Sequence, residues 1–435
     1  MKLYSTNNPD NIVSLKEAVI NAFPIDKGLY MPQQIPIFSK EELLDMWSYS
    51  FPELSQSVAK KLIGNLIPQA ELEKIIKRAI NFPAPVVTFN DQLSTLELFH
   101  GPTMAFKDFG ARFMAELMSY FLRGETAKTT ILVATSGDTG GAVASGFHNT
   151  EGIDVVILYP SGKVSPLQEK QLTTWGSNIK AVEVKGVFDD CQRLVKQAFL
   201  DNELNDNYSF SSANSINIAR LIPQSFYYFE AYKQLRDKFD DIVFSVPSGN
   251  FGNLTAGLIA KKMGLPISKF LAATNMNNTV PLYLSTGNYQ PKPSLATISN
   301  AMDVGSPSNF SRIQSLYSST WNMLKKDIKG SFYTDDQTVS GLKELKDLYN
   351  YIADPHGAIG YLASKEYLKK TDCHCVFLET AHPAKFQEVV EPVLEDKINI
   401  PTKLLSFMEK EKHAYLIENS FEDFKSLLLD IHSHS

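Results

Sequence analysis

The sequence predicts an α/β protein with two parallel-sheet domains preceded by a small N-terminal region. Three observations carry that reading. From about residue 93 onward, short runs rich in Val and Ile and bounded by Gly, Pro, Ser or Asn alternate with longer runs whose apolar residues recur at helical spacing. With 435 residues the chain is long enough for more than one core. Several strand candidates also lead through glycine- and hydroxyl-bearing turns into the next helix, which is where parallel sheets collect their ligands.

Composition narrows the function classes. An apolar fraction of 43% and a charged fraction of 21% are those of an ordinary soluble globular chain. No run approaches the roughly 18 to 20 consecutive apolar residues of a membrane helix, and Met1 to Asp10 lacks a basic segment followed by an apolar core. A cytoplasmic location is therefore expected. A net charge of -6 without a basic block argues against a nucleic-acid surface, because phosphate neutralisation dominates such binding. Small-molecule partners are expected instead, and oligomeric state is left open. Three cysteines, Cys191, Cys373 and Cys375, suit a reducing compartment without a disulfide framework. Cys373-His374-Cys375 invites a metal reading, but it opens an apolar run with strand character. Two ligands one residue apart lack the spacing of zinc knuckles, so no metal site is expected. His432 and His434 in the tail read as solvated.

The elements follow in order. Residues 1–92 form the expected N-terminal region: 14–22 has the cap and spacing of a short helix, 27–32 reads as turn and strand, and 40–70 alternates helical runs with proline stops. Residues 83–87 read as a linker. The next unit, 93–240, holds a helical run over 110–124, strand candidates at 129–135, 154–159 and 179–184, and helices over 141–148, 166–175, 189–201 and 218–235. The last unit, 241–435, holds strand candidates at 241–246, 270–274 and 374–378 and a helix over 254–263. An irregular stretch spans 289–308, amphipathic helices cover 336–351 and 357–370, and a terminal helix covers 421–431. Strand, crossover and strand repeated this often argue for parallel sheets covered on both faces.

Lys107 is the first candidate for chemistry. From Leu98 to Phe106 no residue before it carries a formal charge at neutral pH. An ammonium among such neighbours loses hydration, its pKa falls, and the free amine becomes a nucleophile suited to imine formation. Taken alone, it also reads as a loop lysine whose stem reaches solvent.

Three loops accompany it. Pro247-Ser248-Gly249-Asn250-Phe251-Gly252-Asn253 joins a strand to a helix, and its two glycines let the backbone form a concave row of amides at a helix start. It has no lysine or arginine, unlike a Walker loop, and no GxGxxG spacing. One phosphate monoester held by main chain is the match; a junction that binds nothing is the alternative. In Thr135-Ser136-Gly137-Asp138-Thr139-Gly140-Gly141, hydroxyls join the amides in a combination able to clasp a carboxylate, with Asp138 at the rim. Asp138 or Thr139 acting only as a helix cap is the other reading. The third loop, 212–220, brings Asn214, Ser215 and Asn217 as possible caps and places Arg220 near a helix start, where the dipole does not call for a cation. An arginine there is useful if an anion sits beside it. Lys163, after another strand, is placed to reach the same anion, and for each of these two cations a surface salt bridge is the ordinary alternative.

A phosphate loop, an apolar lysine and a carboxylate clasp are together what pyridoxal 5'-phosphate requires. Ala105-Phe106-Lys107-Asp108, Thr135-Ser136-Gly137-Asp138-Thr139-Gly140, Ser215-Ile216-Asn217-Ile218-Ala219-Arg220, Ser248-Gly249-Asn250-Phe251-Gly252 and Thr380-Ala381-His382-Pro383-Ala384-Lys385-Phe386 occur in that order. With them the chain resembles the threonine synthase family, in its longer bacterial and fungal branch. The resemblance extends over nearly the whole chain, including Lys27 to Pro32. It implies the tryptophan-synthase-β-like fold, fold type II of the pyridoxal phosphate enzymes. By the same resemblance Lys107 would carry the cofactor, Ser248, Gly249, Asn250, Phe251, Gly252 and Asn253 would hold its phosphate, Thr380 would face the pyridine nitrogen, and Asp138 would lie near the phenolic oxygen. Ser136 would help clasp the substrate carboxylate. Thr139, Lys163, Asn214, Ser215 and Arg220 would bind the phosphate of O-phosphohomoserine. The implied reaction is γ-elimination of phosphate followed by addition of water at Cβ, giving L-threonine, with Lys107 moving the protons. A serine/threonine dehydratase or a cysteine synthase would use much of the same apparatus. The doubly wound pattern alone would also admit a nicotinamide-dependent oxidoreductase, against which the missing GxGxxG and acidic ribose partner count. A non-catalytic binding protein that kept the cleft is the remaining alternative.

Overall fold

In the computed structural model, which describes residues 1–433, the chain opens with a small antiparallel sheet of Lys2–Ser5 (β1), Ile12–Ser14 (β2) and Tyr30–Pro32 (β3), in the order β2-β1-β3. His434 and the side chain of His432 lie outside the described residues. Ser14 caps the helix Leu15–Asn21: its hydroxyl accepts from the Glu17 N–H at 3.2 Å, and Glu17 accepts from the Ser14 N–H at 2.7 Å. The same reciprocal box starts Lys40–Met46 at Ser39. Helices Phe51–Ile63 and Gln69–Ala79 complete the region; Pro68 precedes the second, whereas Pro52, expected as a stop, sits in the first turn of the first, where its missing N–H costs nothing. Their apolar faces do not form a separate core. Leu54, Val58 and Ile75 share one buried cluster with Phe109 and Phe113 of the main body.

Where a linker was expected, Val86–Asn90 (β4) pairs antiparallel with Leu93–Glu97 (β5). Pro83 and Pro85 lie just ahead of it, and an edge strand tolerates proline at its entry. Thr129–Ala134 (β6), Ile153–Pro160 (β7), Ile179–Val184 (β8) and Ser209–Ser212 (β9) build a parallel sheet. Ile242–Pro247 (β10), Lys269–Thr274 (β11), Ile328–Phe332 (β12) and His374–Glu379 (β13) build the larger one, ordered β12-β11-β10-β13-β5-β4, in which only β4 is antiparallel. Tyr415–Ile417 (β14) returns from the end of the chain to the edge of the first sheet, giving β14-β8-β7-β6-β9. Every residue of β6, β10 and β13 is buried, as strands covered on both faces require.

The sheets are thus interleaved along the chain. The expected boundary at 92/93 falls in the turn between β4 and β5, and that at 240/241 falls just ahead of β10. The helical run expected over 218–235 is three pieces: Ile218–Leu221, a 3-10 turn Ile222–Ser225, and Phe226–Leu235. Pro223 lacks the N–H that would continue the first helix. His374, at the start of β13, is held by Ser94 Oγ at 2.8 Å and the Asp91 carbonyl at 2.9 Å and stacks on Phe239. Among the described residues no helix is long and apolar enough to cross a membrane.

Candidate active site

β5 and β13 run parallel, with Glu97 beside Glu379 at their carboxyl ends. Beyond them the two chains remain laced together. Leu98 N–H donates to the Glu379 carbonyl at 3.0 Å, Phe106 N–H to that of Thr380 at 2.8 Å, and His382 N–H to that of Met104 at 3.0 Å. The turn between is closed by Asp108, which accepts from the Thr103 N–H at 2.9 Å and from its hydroxyl at 2.6 Å. A side chain at Gly101 would bring its Cβ within 2.4 Å of Asp108 Oδ2, so only glycine lets the turn pack this tightly. These bonds fix Lys107 at the first position of the helix Lys107–Phe121, next to Thr380.

The Lys107 side chain is only 16% exposed. Burial lowers its pKa, as the sequence predicts; Asp138 opposes the shift, while Lys385 and Arg220 add to it. Its Nζ stands 3.9 Å from Oδ2 of Asp138 and 4.9 Å from the centre of the Phe106 ring.

Asp138 begins the helix Asp138–Phe147, behind Gly137 at φ 141°. A side chain at Gly137 would be strained by that φ and would meet Gln168 Cδ at 2.6 Å. Thr135 Oγ1 braces the loop by accepting from the N–H groups of Gly137 and Gly140, at 3.0 and 2.9 Å. Asp138 Oδ1 accepts from Gln168 Nε2 at 2.9 Å and lies 2.7 Å from Nζ of Lys385. Burial opposes ionisation of this carboxyl, but Lys385, Lys107 and the hydrogen bonds outweigh it and hold the pKa well below the usual range. Ser136 and Thr139 are half-buried on the same loop.

After β10, the Ser248 N–H donates to the Ala273 carbonyl at 2.9 Å. Phe251 then takes a left-handed conformation, φ 62°, and the helix Gly252–Lys262 begins. Its first intrahelical bond runs from the Thr255 N–H to the Phe251 carbonyl at 3.0 Å. The amides of Gly249 to Asn253 therefore precede the ladder at the positive end of a helix, the arrangement that suits one phosphate. Gly249 is pressed by Ala301 and Met302: a Cβ there would come within 2.8 Å of the Ala301 carbonyl oxygen and the Met302 Cα. Asn250 Nδ2 reaches Ser215 Oγ at 2.5 Å, and its Oδ1 accepts from the Ser308 N–H at 2.6 Å. Asn253 Nδ2 braces the Pro247 carbonyl at 2.8 Å, and the Phe251 side chain is buried in the core, so these two contribute through the backbone.

The segment 213–220 lies between both loops. Asn214 Nδ2 donates to the Ala134 carbonyl at 3.0 Å, ahead of the Ser136 loop, and Ser215 meets Asn250. Arg220 is buried, with Nη1 donating to the Ala213 carbonyl at 2.5 Å, while its Nε is buried without a partner among the described residues. Asn217 caps the short helix by accepting from the Ala219 N–H at 3.0 Å. Lys163 is exposed in the turn after β7, and among the described residues no hydrogen bond or ion pair joins it to the rest of the set.

The sequence reading assigned no part to several residues that build this site. Asp354 starts the helix Pro355–Leu368, accepting from the Gly357 N–H at 3.0 Å, and its other oxygen accepts from the Ala381 N–H at 2.9 Å. Glu379, next to Thr380, accepts from the Asp354 N–H at 2.5 Å; burial and the Asp354 charge push its pKa far up. Asp before Pro at a helix start is a cap signal that would have found Asp354. Asp108 closes its own turn on Thr103, whereas nothing near Lys385 in the sequence shows that it pairs with Asp138.

Three family patterns match the chain. That described as "Pyridoxal-phosphate dependent enzyme" matches residues 93–377, "Threonine synthase N terminus" residues 2–80, and "Threonine synthase, C-terminal" residues 357–428. Over 438 residues, 99% of this chain and 100% of the relative, it is 47% identical to the threonine synthase of Haemophilus influenzae. The crystal structure of threonine synthase from Escherichia coli superposes with a TM-score of 0.93 at 44% identity, covering 99% of this chain and 100% of that one. That from Brucella melitensis, with pyridoxal phosphate bound, superposes with a TM-score of 0.93 at 33% identity, covering 100% of each chain.

Proposed function

The chain belongs to the threonine synthase family of pyridoxal-phosphate-dependent enzymes, and from that premise we propose which residues do the work. The reaction is elimination of phosphate from Cγ of O-phospho-L-homoserine and addition of water at Cβ, which yields L-threonine and inorganic phosphate. When bound, pyridoxal phosphate supplies an aldehyde that condenses with an amine and a conjugated ring that withdraws electrons from the substrate.

Lys107 is the amine. Burial lowers its pKa, which favours the free amine, and the same nitrogen would take the proton from the substrate's Cα and then one from Cβ. The amides of Gly249 to Asn253, with Ser248, hold the cofactor phosphate at the helix start. Thr380 would hold the cofactor at its pyridine nitrogen with a hydroxyl that adds no formal charge, which leaves proton transfer to a well-placed amine. Asp138 would hold it near the phenolic oxygen. Ser136 clasps the substrate carboxylate, and Thr139, Asn214, Ser215 and Arg220 receive its phosphate. Lys163 joins them only if its exposed turn moves inward. The two parallel sheets are the units between which substrate binds, and the cytoplasm is the proposed compartment.

The observation that carries these assignments is the lacing of 98–106 to 379–382, which sets Lys107 beside Thr380. The experiment is borohydride reduction of the purified yellow protein and mapping of the labelled peptide. Label on Lys107, a colourless Lys107→Ala protein, and phosphate release from O-phosphohomoserine without oxobutyrate from threonine are expected. Label on another lysine defeats the site assignment.

A further inference from the structure

Lys385 has no part in the assignments above, yet its side chain is fully buried. An ammonium in that position is costly unless paired. Its Nζ lies 2.7 Å from Oδ1 of Asp138 and donates to the Thr103 carbonyl at 3.0 Å. The pair crosses between the two sheets: Lys385 belongs to the turn Pro383–Phe386 after β13, whereas Asp138 follows β6. The backbone there is tied as well, since the Lys385 carbonyl accepts from Ser165 Oγ at 3.4 Å. Ser165 caps the helix Pro166–Thr173, which sends Gln168 to the same oxygen of Asp138.

The groups facing Asp138 are Lys107 from the helix Lys107–Phe121, Lys385 from the turn after β13, and Gln168 from the helix after β7. Oδ1 is taken by Lys385 and Gln168, so Oδ2 is the oxygen left toward Lys107. We propose that Lys385 is a positioning residue for the reaction, a built-in counter-cation that keeps Asp138 a carboxylate and holds its Oδ2 toward the nitrogen of Lys107. Without that cation, a buried carboxyl would have Lys107, itself poorly hydrated, as its one facing cation among the described residues, and the proton between them would have no settled owner. The inference rests on the reading of Lys107 as the cofactor lysine.

The test uses the holoenzyme as wild type, Lys385→Met, Lys385→Arg, Asp138→Asn and the double variant Asp138→Asn/Lys385→Met. The visible absorbance of the bound cofactor and kcat/KM are followed from about pH 5.5 to 9. Lys385→Met is expected to gain a pH-dependent step absent from wild type and to lose at least about tenfold in kcat. The arginine variant restores the wild-type profile, and the double variant lacks the step because the titrating carboxyl is gone. A wild-type profile in Lys385→Met, or a step that survives in the double variant, overturns the proposal. Thermal midpoints of the cofactor-free proteins keep it testable if Lys385→Met folds poorly. The double variant should melt above either single one, because each single change strands a buried charge; losses that simply add would count against pairing. Borohydride mapping on the same samples separates the two readings: label away from Lys107 removes the premise, while the melting cycle still reports on Lys385 and Asp138.

Discussion

Nζ of Lys107 stands 3.9 Å from one oxygen of Asp138, and Nζ of Lys385 stands 2.7 Å from the other. One buried carboxylate thus serves two buried amines, at unequal distances. The farther one, Lys107, is left with a partner too remote for a hydrogen bond. Burial lowers the Lys107 pKa, and a carboxylate at that distance opposes the shift without reversing it, which favours the free amine a nucleophile needs.

The first prediction concerns that inequality. Asp138 raises the Lys107 pKa against the lowering by burial. Asp138→Asn should shift the pH at which the cofactor-free enzyme captures pyridoxal phosphate to lower values. Capture rates measured across pH check this, and an unchanged pH profile would show that the carboxylate does not act on Lys107.

The second concerns the phosphate loop. A methyl at Gly249 meets main-chain atoms of Ala301 and Met302 at 2.8 Å, and backbone cannot swing aside as a side chain can. Gly249→Ala should cost about 1 to 3 kcal/mol of local packing and weaken cofactor affinity by at least about tenfold. Equilibrium dialysis of the cofactor measures it; unchanged affinity would remove this loop from the cofactor site.

The third concerns Arg220. Its Nε has no partner among the described residues, and its burial lowers the guanidinium pKa to about 10, so it stays charged at neutral pH. Stabilising a departing phosphate is worth several kcal/mol in comparable sites. Arg220→Lys should lower turnover by about a hundredfold while cofactor affinity holds. Equal losses of both would make Arg220 a structural residue that supports only the Ala213 carbonyl.

Much of the site was legible because its signals are local. The uncharged run before Lys107 and the glycines of 248–253 announce themselves within a few residues, and β6, β10 and β13 are runs that only a doubly covered sheet accommodates. Short or polar strands were not legible. Leu93–Glu97, Ser209–Ser212 and Ile328–Phe332 become strands through their neighbours' edges rather than their own propensity. The same holds for charges. Lys385 is visible as a residue, but its partner Asp138 is chosen by the way β6 and β13 end together.

The last prediction follows Asp303, which pins the irregular stretch over the phosphate loop. Its carboxyl accepts from Thr297 Oγ1 at 2.7 Å, Asn275 Nδ2 at 2.9 Å and the Thr297 N–H at 3.0 Å, in the segment that reaches Ala301 and Met302. Burial pushes its pKa up to about 6, against its hydrogen bonds. The sign is opposite to that of Asp138. Unfolded, Asp303 loses its proton near pH 4; folded, it keeps the proton to about 6. Its contribution to stability is therefore fully present below about 4 and declines as pH rises through 6. That of Asp138, whose pKa is depressed, is present above about 4 and fades only as pH falls further. Between pH 4 and 6 the stability of Asp303→Asn should rise relative to wild type, by on the order of 2 kcal/mol. Denaturant midpoints of both proteins across that window check it, together with the carboxyl carbon signal of Asp303. Parallel curves, or a titration midpoint below 4, would mean that this carboxylate is charged throughout and that its hydrogen bonds outweigh burial.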